Sequence, residues 1–555
     1  MFIFVASNTA TIADPPYNGD DKDNIHLIMQ YFIHPDTRRA SEIRECFRQN
    51  ILNPHITKIH LLGERIYTDA ELGGPASKSE KVVQVNIGRR LRYSDFFKYV
   101  RTADLKGFQI LVNSDIFFNA TLGNLKSSDL PLAKKMMAIL RLEYNAAEVD
   151  KSPILGPRAD SQDTWIFHSN FPLAESWEKH FQFELGKPGC DNKLIYLLFV
   201  LGYEIVNDPV FINTYHYHTT NIRDYTRKDK IPDPYLFVKP AIIQYTDIWE
   251  TPGEQVRMDD NRLLFDYVSE KMAKSEPFVI PRISCIETNF AVYMRLLHMP
   301  IDYSVKQQIA EYVNSPKTIR TMKNNAGILI SSSVSSKQYS DQYLKAFENC
   351  EIYGGWNKTG HVYQCGIQIA QDFIENSNAN KRMFWAFAFD IFHYIYSQPW
   401  TLALRGKRIL LVSAFEETLL EKIPIREKIY GIDLFPECTF LTIRPPQTQG
   451  SEQSMGFGVE LMRFYERLDA LSGQYDVALV SCGGYGALVC NHIYEKGGSA
   501  IYVGGVLQMY FGILGNRWLV ERPDIVRMFL NEHWSRPKVS EKPKNCENIE
   551  RACYW

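Results

Sequence analysis

IHLIMQYFI (Ile25 to Ile33), RRASEIRECFRQNIL (Arg38 to Leu52) and ITKIHLL (Ile56 to Leu62) form the stretch whose reading decides the fold. The outer runs are compact and apolar, as buried strands are, and the run between them is polar and helix-capable. Strand, crossover helix and strand make one β-α-β unit. Outward from it, KVVQVN leads into a helix predicted over SDFFKYVRTA with Ser94 as its N-cap, and GFQILVNSDIFF (Gly107 to Phe118) reads as a fourth strand. That strand carries polar residues at its C-terminal end, where open α/β sheets bind ligands. The same alternation returns in RILLVSAF, CTFLTIRPP, YDVALVSCGGYG and SAIYVGG, after a helical region at about 286–400. The fold class expected is therefore α/β, with two Rossmann-like domains. Their boundaries fall at residues 1–250, a connector at 251–280 and a second domain at 281–535, followed by a polar, Lys-rich tail at 536–555 expected to be poorly ordered.

Bulk properties agree with a large packed protein. The chain has 555 residues, too many for one core, with 45% hydrophobic and 23% charged residues, which excludes wholesale disorder. A formal net charge of -2 gives no basic field for nucleic acid, so a phosphate-bearing partner has to be held locally. The ten cysteines show neither CxxC spacing nor a pairing rhythm and read as reduced thiols of a cytoplasmic protein. No run approaches the ~20 apolar residues of a membrane span, and membrane contact is expected to be peripheral at most. The most apolar window, Met383 to Leu404, reads as a buried helix with its exit turn.

Chemistry in the first half centres on Val112-Asn113-Ser114-Asp115-Ile116-Phe117. A carboxylate at the end of a buried strand suits a divalent cation that carries a diphosphate, although Asp115 as a simple turn cap is equally compatible with the triplet. About a hundred residues on, NTYHYHTT ends in a His-x-His pair. On an extended segment His216 and His218 point the same way, and a neutral imidazole can complete the shell of a cation such as Mn2+; surface histidines are the alternative. Between them lie Asp160 and Asp163 ahead of an apolar strand, and Asp191 with Asn192 at a Gly-initiated helix start. Asp191 is a candidate general base or a plain N-cap.

The order IHLIMQYFI, RRLRYSDFF, VNSDIFF, DSQDTWIF, GCDN and NTYHYHTTNIRDY resembles nucleotide-sugar glycosyltransferases of the GT-A type, over roughly residues 24–225. NSD resembles their DxD metal motif with Asn113 in the first acidic position, which leaves Asp115 as the one strong ligand. The resemblance implies that Asp115 with His216 or His218 holds Mn2+ (or Mg2+) and the diphosphate. It further implies that Tyr31 and Glu64 lie near base and ribose, that Arg92 contacts phosphate, and that Asp191 or Asp163 faces the acceptor.

In the second half, Tyr475 to Trp518 reads as strand, Gly-rich turn, helix, strand, Gly-rich turn. Gly483, Gly484 and Gly486 allow backbone amides to approach an anion, and Gly504-Gly505 repeat the device; tight turns are the other use of such glycines. The pattern departs from GxGxxG, which disfavours a dinucleotide site. With RILLVSAFEETLLEKI, this segment resembles the C-terminal part of glycosyltransferases of the GT-D fold. That likeness extends back to PRISCIETNFAVY, where Arg282 and Glu287 align with the family's Arg-x-Gly-Asp-Gly-Glu stretch and Cys285 replaces its first acid. A metal-independent, donor-altered or degenerate second site all remain open. The implied site is Glu287 with Gly483, Gly484, Tyr485, Gly504, Gly505 and Gln508. Glu416 and Glu417 are alternative acids, better read as an exposed helix start.

These readings imply a bifunctional glycosyltransferase that moves sugars from nucleoside-diphosphate donors to a glycan acceptor, with no nucleic-acid partner. The alternatives are one active N-terminal domain with a C-terminal acceptor-binding or structural module, and a non-enzymatic nucleotide- or glycan-binding protein.

Overall fold

The computed structural model describes residues 23–74, 79–156, 158–220, 222–223, 225–241, 251–450, 453–549 and 552–555. Two compact units emerge, one reaching to Gln255 and one beginning at Val256, and both are α/β.

The first unit carries β1 (Ile25–Met29), β2 (Lys58–Gly63), β3 (Val82–Asn86), β4 (Phe108–Val112), β5 (Ile116–Phe118), β6 (Lys135–Ile139), β7 (Leu142–Glu143), β8 (Thr164–His168), β9 (Glu204–Val206) and β10 (Thr214–His216). Seven of them form one sheet in the order β3-β2-β1-β4-β8-β6-β9, parallel except for β8, which runs against β4 and β6. Ile25, Leu27, Ile28 and Met29 are fully buried, which explains why β1 reads as an unbroken apolar run. Helix α1 (Thr37–Leu52) lays Ile43, Phe47 and Ile51 into the core, and Asp36 caps its start by accepting the N–H groups of Arg38 and Arg39.

Two local expectations change. GFQILVNSDIFF is not one strand: the chain turns at Asn113–Asp115, and Ile116–Phe118 leaves the main sheet for a small one of order β5-β10-β7. The turn closes with the Ile116 N–H on the Asn113 carbonyl, while the Asn113 N–H bonds the Asp163 carbonyl. Helix α2 (Tyr93–Thr102) starts at Arg92 rather than Ser94, because Asp95 reaches back to the Arg92 N–H; Ser94 Oγ is buried without a partner among the described residues.

The second unit carries β11 (Val279–Ile280), β12 (Ile352–Gly355), β13 (Arg382–Trp385), β14 (Arg408–Ser413), β15 (Thr439–Ile443), β16 (Val477–Ser481) and β17 (Ala500–Tyr502). An all-parallel sheet runs β11-β17-β16-β14-β15, and β12 pairs β13 beside it. Residues 258–274 of the expected connector form a helix of this unit, where Asn261 Oδ1 accepts the buried Trp400 N–H. The apolar window from Met383 begins as strand β13 and continues as short 3-10 turns, not as a helix, because the strand pairs with β12. The tail is packed: Cys546 and Cys553 are buried, and Glu541 accepts the Glu417 N–H at 2.8 Å and also binds Thr418.

Candidate functional site

The turn between β4 and β5 presents Asp115, and the antiparallel pairing of β5 with β10 sets Ile116 opposite His216. The Tyr217 N–H closes the ladder on the Asp115 carbonyl at 2.9 Å. Residues two apart on an extended strand share a face, so His216 and His218 both meet the aspartate. Asp115 Oδ2 lies 3.4 Å from His216 Nε2 and 3.7 Å from His218 Nδ1. One ligand atom from each of the three residues falls within 4.8 Å of the others.

Carboxylates and cations surround this trio. His216 Nδ1 is 3.1 Å from Glu143 Oε2, which orients Nε2 toward Asp115 as carboxylates orient metal-binding imidazoles. Arg141 links Glu143 to Asp163, whose other oxygen accepts the Asn113 amide at 2.7 Å. On the other side Arg39 from α1 bridges Asp115 and Glu42. Glu42 in turn accepts the N–H and hydroxyl groups of Thr219 and Thr220, fixing the strand end that carries His218.

Burial by itself would raise the Asp115 carboxyl, but His216 and Arg39 overcome it and hold the group well below the usual range. Burial likewise opposes charge on His216, and the hydrogen bonds from Asp115 and Glu143 outweigh it, raising the imidazole to about 9. Burial and the nearby Arg39 push His218 down, and its Nε2 is buried without a hydrogen-bond partner among the described residues. Asp115 offers a hard oxygen and His218 a neutral imidazole, and His216 joins them as a ligand to a first-row divalent cation such as Mn2+ by giving up the proton that Asp115 and Glu143 hold on it. The residues fit the group.

Asp191 sits in the first turn of α3 (Cys190–Val200), which Gly189 enters at φ 76°. Its oxygens accept the Gln162 N–H and the Asn192 amide, each at 3.2 Å. Burial, with the charges of Asp163 and Asp160, raises its carboxyl to about 7, where a general base works best at neutral pH. Both oxygens of Asp163, the other residue expected to face the acceptor, are engaged, one by Asn113 and one by Arg141.

The expected nucleotide contacts fare differently. Tyr31 is 1% exposed, packed against Phe47 and Tyr67 with its hydroxyl on the Glu71 carbonyl, so it supports the sheet rather than stacking on a base. Glu64 is exposed beyond β2. Arg92 reaches Gln182 at 3.5 Å. Sequence reading missed Arg39, Glu42, Arg141 and Glu143. The i,i+3 spacing of Arg39 and Glu42 on a helix was the one local signal for any of them.

In the second unit Glu287 lies in the first turn of α4 (Cys285–Leu297), close enough to Tyr339, Tyr343 and Tyr502 for its charge to help raise their phenols after burial. Tyr339 and Tyr502 donate to the carbonyls of Gly484 and Gly483. The glycines serve packing. A Cβ on Gly484 would meet Ile328 at 2.5 Å and the Ala326 carbonyl at 2.8 Å, and one on Gly486 would meet the Tyr502 ring at 2.2 Å. Tyr485 is buried, Tyr554 lies where a Cβ of Gly505 would go, and Gln508 donates to the Ile513 carbonyl. Cys285 is exposed, and the helix beginning at Glu416 is not a free start, since Glu541 occupies its first N–H groups.

No known protein family matches the sequence, and no curated protein matches it. Among solved structures, the mannosyltransferase PcManGT from Pyrobaculum calidifontis, determined in complex with GDP-Man and Mn2+, is similar at 8% identity over 67% of this chain and 87% of that chain, with a TM-score of 0.26. A likeness of that size carries no argument about fold or function.

Proposed function

We propose that the chain is a glycosyltransferase that uses nucleoside-diphosphate sugars, with its metal-dependent centre in the first unit. The observation that carries this reading is the convergence of Asp115, His216 and His218 beyond the carboxyl end of β4. Asp115, His216 and His218 would hold Mn2+ or Mg2+, which supplies positive charge to the departing diphosphate. Glu143 orients His216, and Glu42 with Thr219 and Thr220 keeps His218 in line. An acceptor hydroxyl attacks the anomeric carbon as the bond to the diphosphate oxygen breaks, and Asp191 takes the hydroxyl proton. In this reading the acceptor is a glycan and the second unit, resembling the GT-D fold, performs a consecutive transfer around Glu287.

A second reading has one active unit, with the C-terminal half serving acceptor binding or structure. It is favoured by the glycines that accommodate Ile328, Tyr502 and Tyr554 and by Glu541 on the helix that follows β14. The test is release of nucleoside diphosphate from UDP-, GDP- and TDP-sugars, with and without Mn2+, by wild type, Asp115→Ala and Glu287→Ala. Loss of one donor's turnover in each variant supports two transfer sites. Loss only in Asp115→Ala supports one. Metal-independent release, or none with any donor, overturns the proposal.

A further inference from the structure

The second unit holds a cavity of about 370 Å³ at the amino ends of its parallel strands, the end of such a sheet opposite to the one that usually takes ligands. Among its lining residues, Lys407, Asp476 and Ser499 stand one residue before β14, β16 and β17, and Pro277 stands two before β11. The helices Met258–Lys274, Phe457–Asp469 and Gly486–Glu495 bring their last turns to the same place. His492, from the last of these, lies flat on the Tyr465 ring at 3.7 Å, and its Nε2 is 2.7 Å from Asp469 Oδ1, so the imidazole is held in place before any ligand arrives.

The charges around the cavity cancel. Asp476 accepts Arg408 Nη2 at 2.7 Å, Glu276 is 3.0 Å from Lys271 Nζ, and Asp469 meets His492 and, at 3.5 Å, Lys496 Nζ. Each of the three carboxylates is therefore answered by a cation. Lys407 has no ion pair among the described residues, and it shares the cavity with three helix C-termini, which carry partial negative charge. A phosphate finds no excess of positive charge here, and the lysines stand against a metal ion.

What the lining does offer is hydrogen bonds in both senses. Lys407 Nζ, Tyr475 Oη and Ser499 Oγ have no hydrogen-bond partner among the described residues. Asp469 and Glu276 are close to half exposed, and a carboxylate has more lone-pair sites than one cation uses. Bonds from a neutral hydroxyl to such a carboxylate, or from an ammonium to a hydroxyl, are charge-assisted and about twice as strong as neutral ones. A neutral molecule with a hydroxyl on every edge, each able to donate and accept, uses all of these groups, and the volume lies in the range of small-ligand sites. That molecule is a carbohydrate.

We infer that the cavity bordered by Lys407, Asp469, Tyr475 and Ser499 binds a neutral carbohydrate of one or two rings. The binding stands on the second unit alone, whether or not the first unit transfers sugar. Its use is to retain a glycan between transfers, which raises the effective concentration of the product, and that use alone rests on the glycosyltransferase reading.

The test is calorimetric titration of the full chain, in excess EDTA, with cellobiose, lactose, maltose and chitobiose. At least one is expected to bind with a Kd of about 1 mM or tighter. Lys407→Met and Tyr475→Phe are each expected to weaken that disaccharide by about fivefold or more with unchanged thermal unfolding. Ser472 is an exposed lining residue, so Ser472→Trp is expected to abolish binding by filling the cavity without a folding defect. Asp115→Ala is expected to bind as wild type does, and inorganic phosphate is expected not to displace the sugar. Absence of binding by all four sugars, binding untouched by the three second-unit variants, loss in Asp115→Ala, or displacement by phosphate overturns the inference.

Discussion

Arg39 Nη2 lies 2.5 Å from Asp115 Oδ2, the same oxygen that faces His216 Nε2 and His218 Nδ1. A guanidinium and a divalent cation therefore compete for one atom. Arg39→Met is expected to bind Mn2+ about tenfold more tightly, a change of ~1.4 kcal/mol, by titration calorimetry. Without metal the variant leaves Asp115 and Glu42 without their buried partner and is expected to lose about 3–5 kcal/mol of stability in urea unfolding with EDTA. Added Mn2+ should recover part of that loss by mass action. Tighter metal binding by wild type than by the variant would sink this account.

Asn113 stands where a second acid would make the triplet a stronger metal ligand, and its amide donates to Asp163 at 2.7 Å. Asn113→Asp sets two carboxylates against each other. The expected result is a loss of about 1–3 kcal/mol in stability with no gain in Mn2+ affinity, read from paired unfolding and titration curves.

Asp191 holds its proton to about pH 7 in the folded chain against an ordinary 3.8. Between those values the folded state binds more protons than the unfolded chain, so this residue's contribution to stability falls as pH rises through the window. Asp191→Asn should remove that slope, as measured by denaturant unfolding at a series of pH values. If Asp191 is the base, turnover in wild type climbs to a plateau just above pH 7, and the variant loses about 10²–10⁴-fold in rate together with that limb.

Gly484 separates packing from ligand binding. A methyl group there meets Ile328 and the Ala326 carbonyl, so Gly484→Ala is expected to cost about 1–3 kcal/mol in thermal unfolding. A variant of full stability that has lost only ligand binding would show the glycine to be an anion contact.

The alternation of buried strands and helices was legible because parallel strands covered on both faces read as apolar runs: β1, β14, β16 and β17 lie inside the runs that announce them, and β2 passes the end of its run by one residue, Gly63. That His216 and His218 share a face was legible from alternation on an extended segment, whereas their meeting with Asp115 was implied by the resemblance. What surrounds them was not: Glu143 and Arg141 lie on an edge whose pairing is set by tertiary contact, and no local spacing ties Asp163 to Asn113. Tyr31 misled because a tyrosine at a strand end looks the same whether its ring faces a ligand or Phe47. The tail misled because its lysines and glutamates look solvated, whereas Glu541 is 1% exposed on the backbone of 417–418.

Strand β11 is the first of its sheet to be made and sits beside the last, with Val279 opposite Ala500. A chain emerging from the ribosome therefore exposes this apolar strand, with no sheet partner, while the rest of the second unit is synthesised. Such distant pairing slows folding, and a nascent chain in that state is a substrate for chaperones and a hazard for aggregation. Truncations that stop before residue 500 should accumulate in inclusion bodies, whereas the first unit, whose β1 pairs with β2 within a few tens of residues, has its own sheet under way early in synthesis.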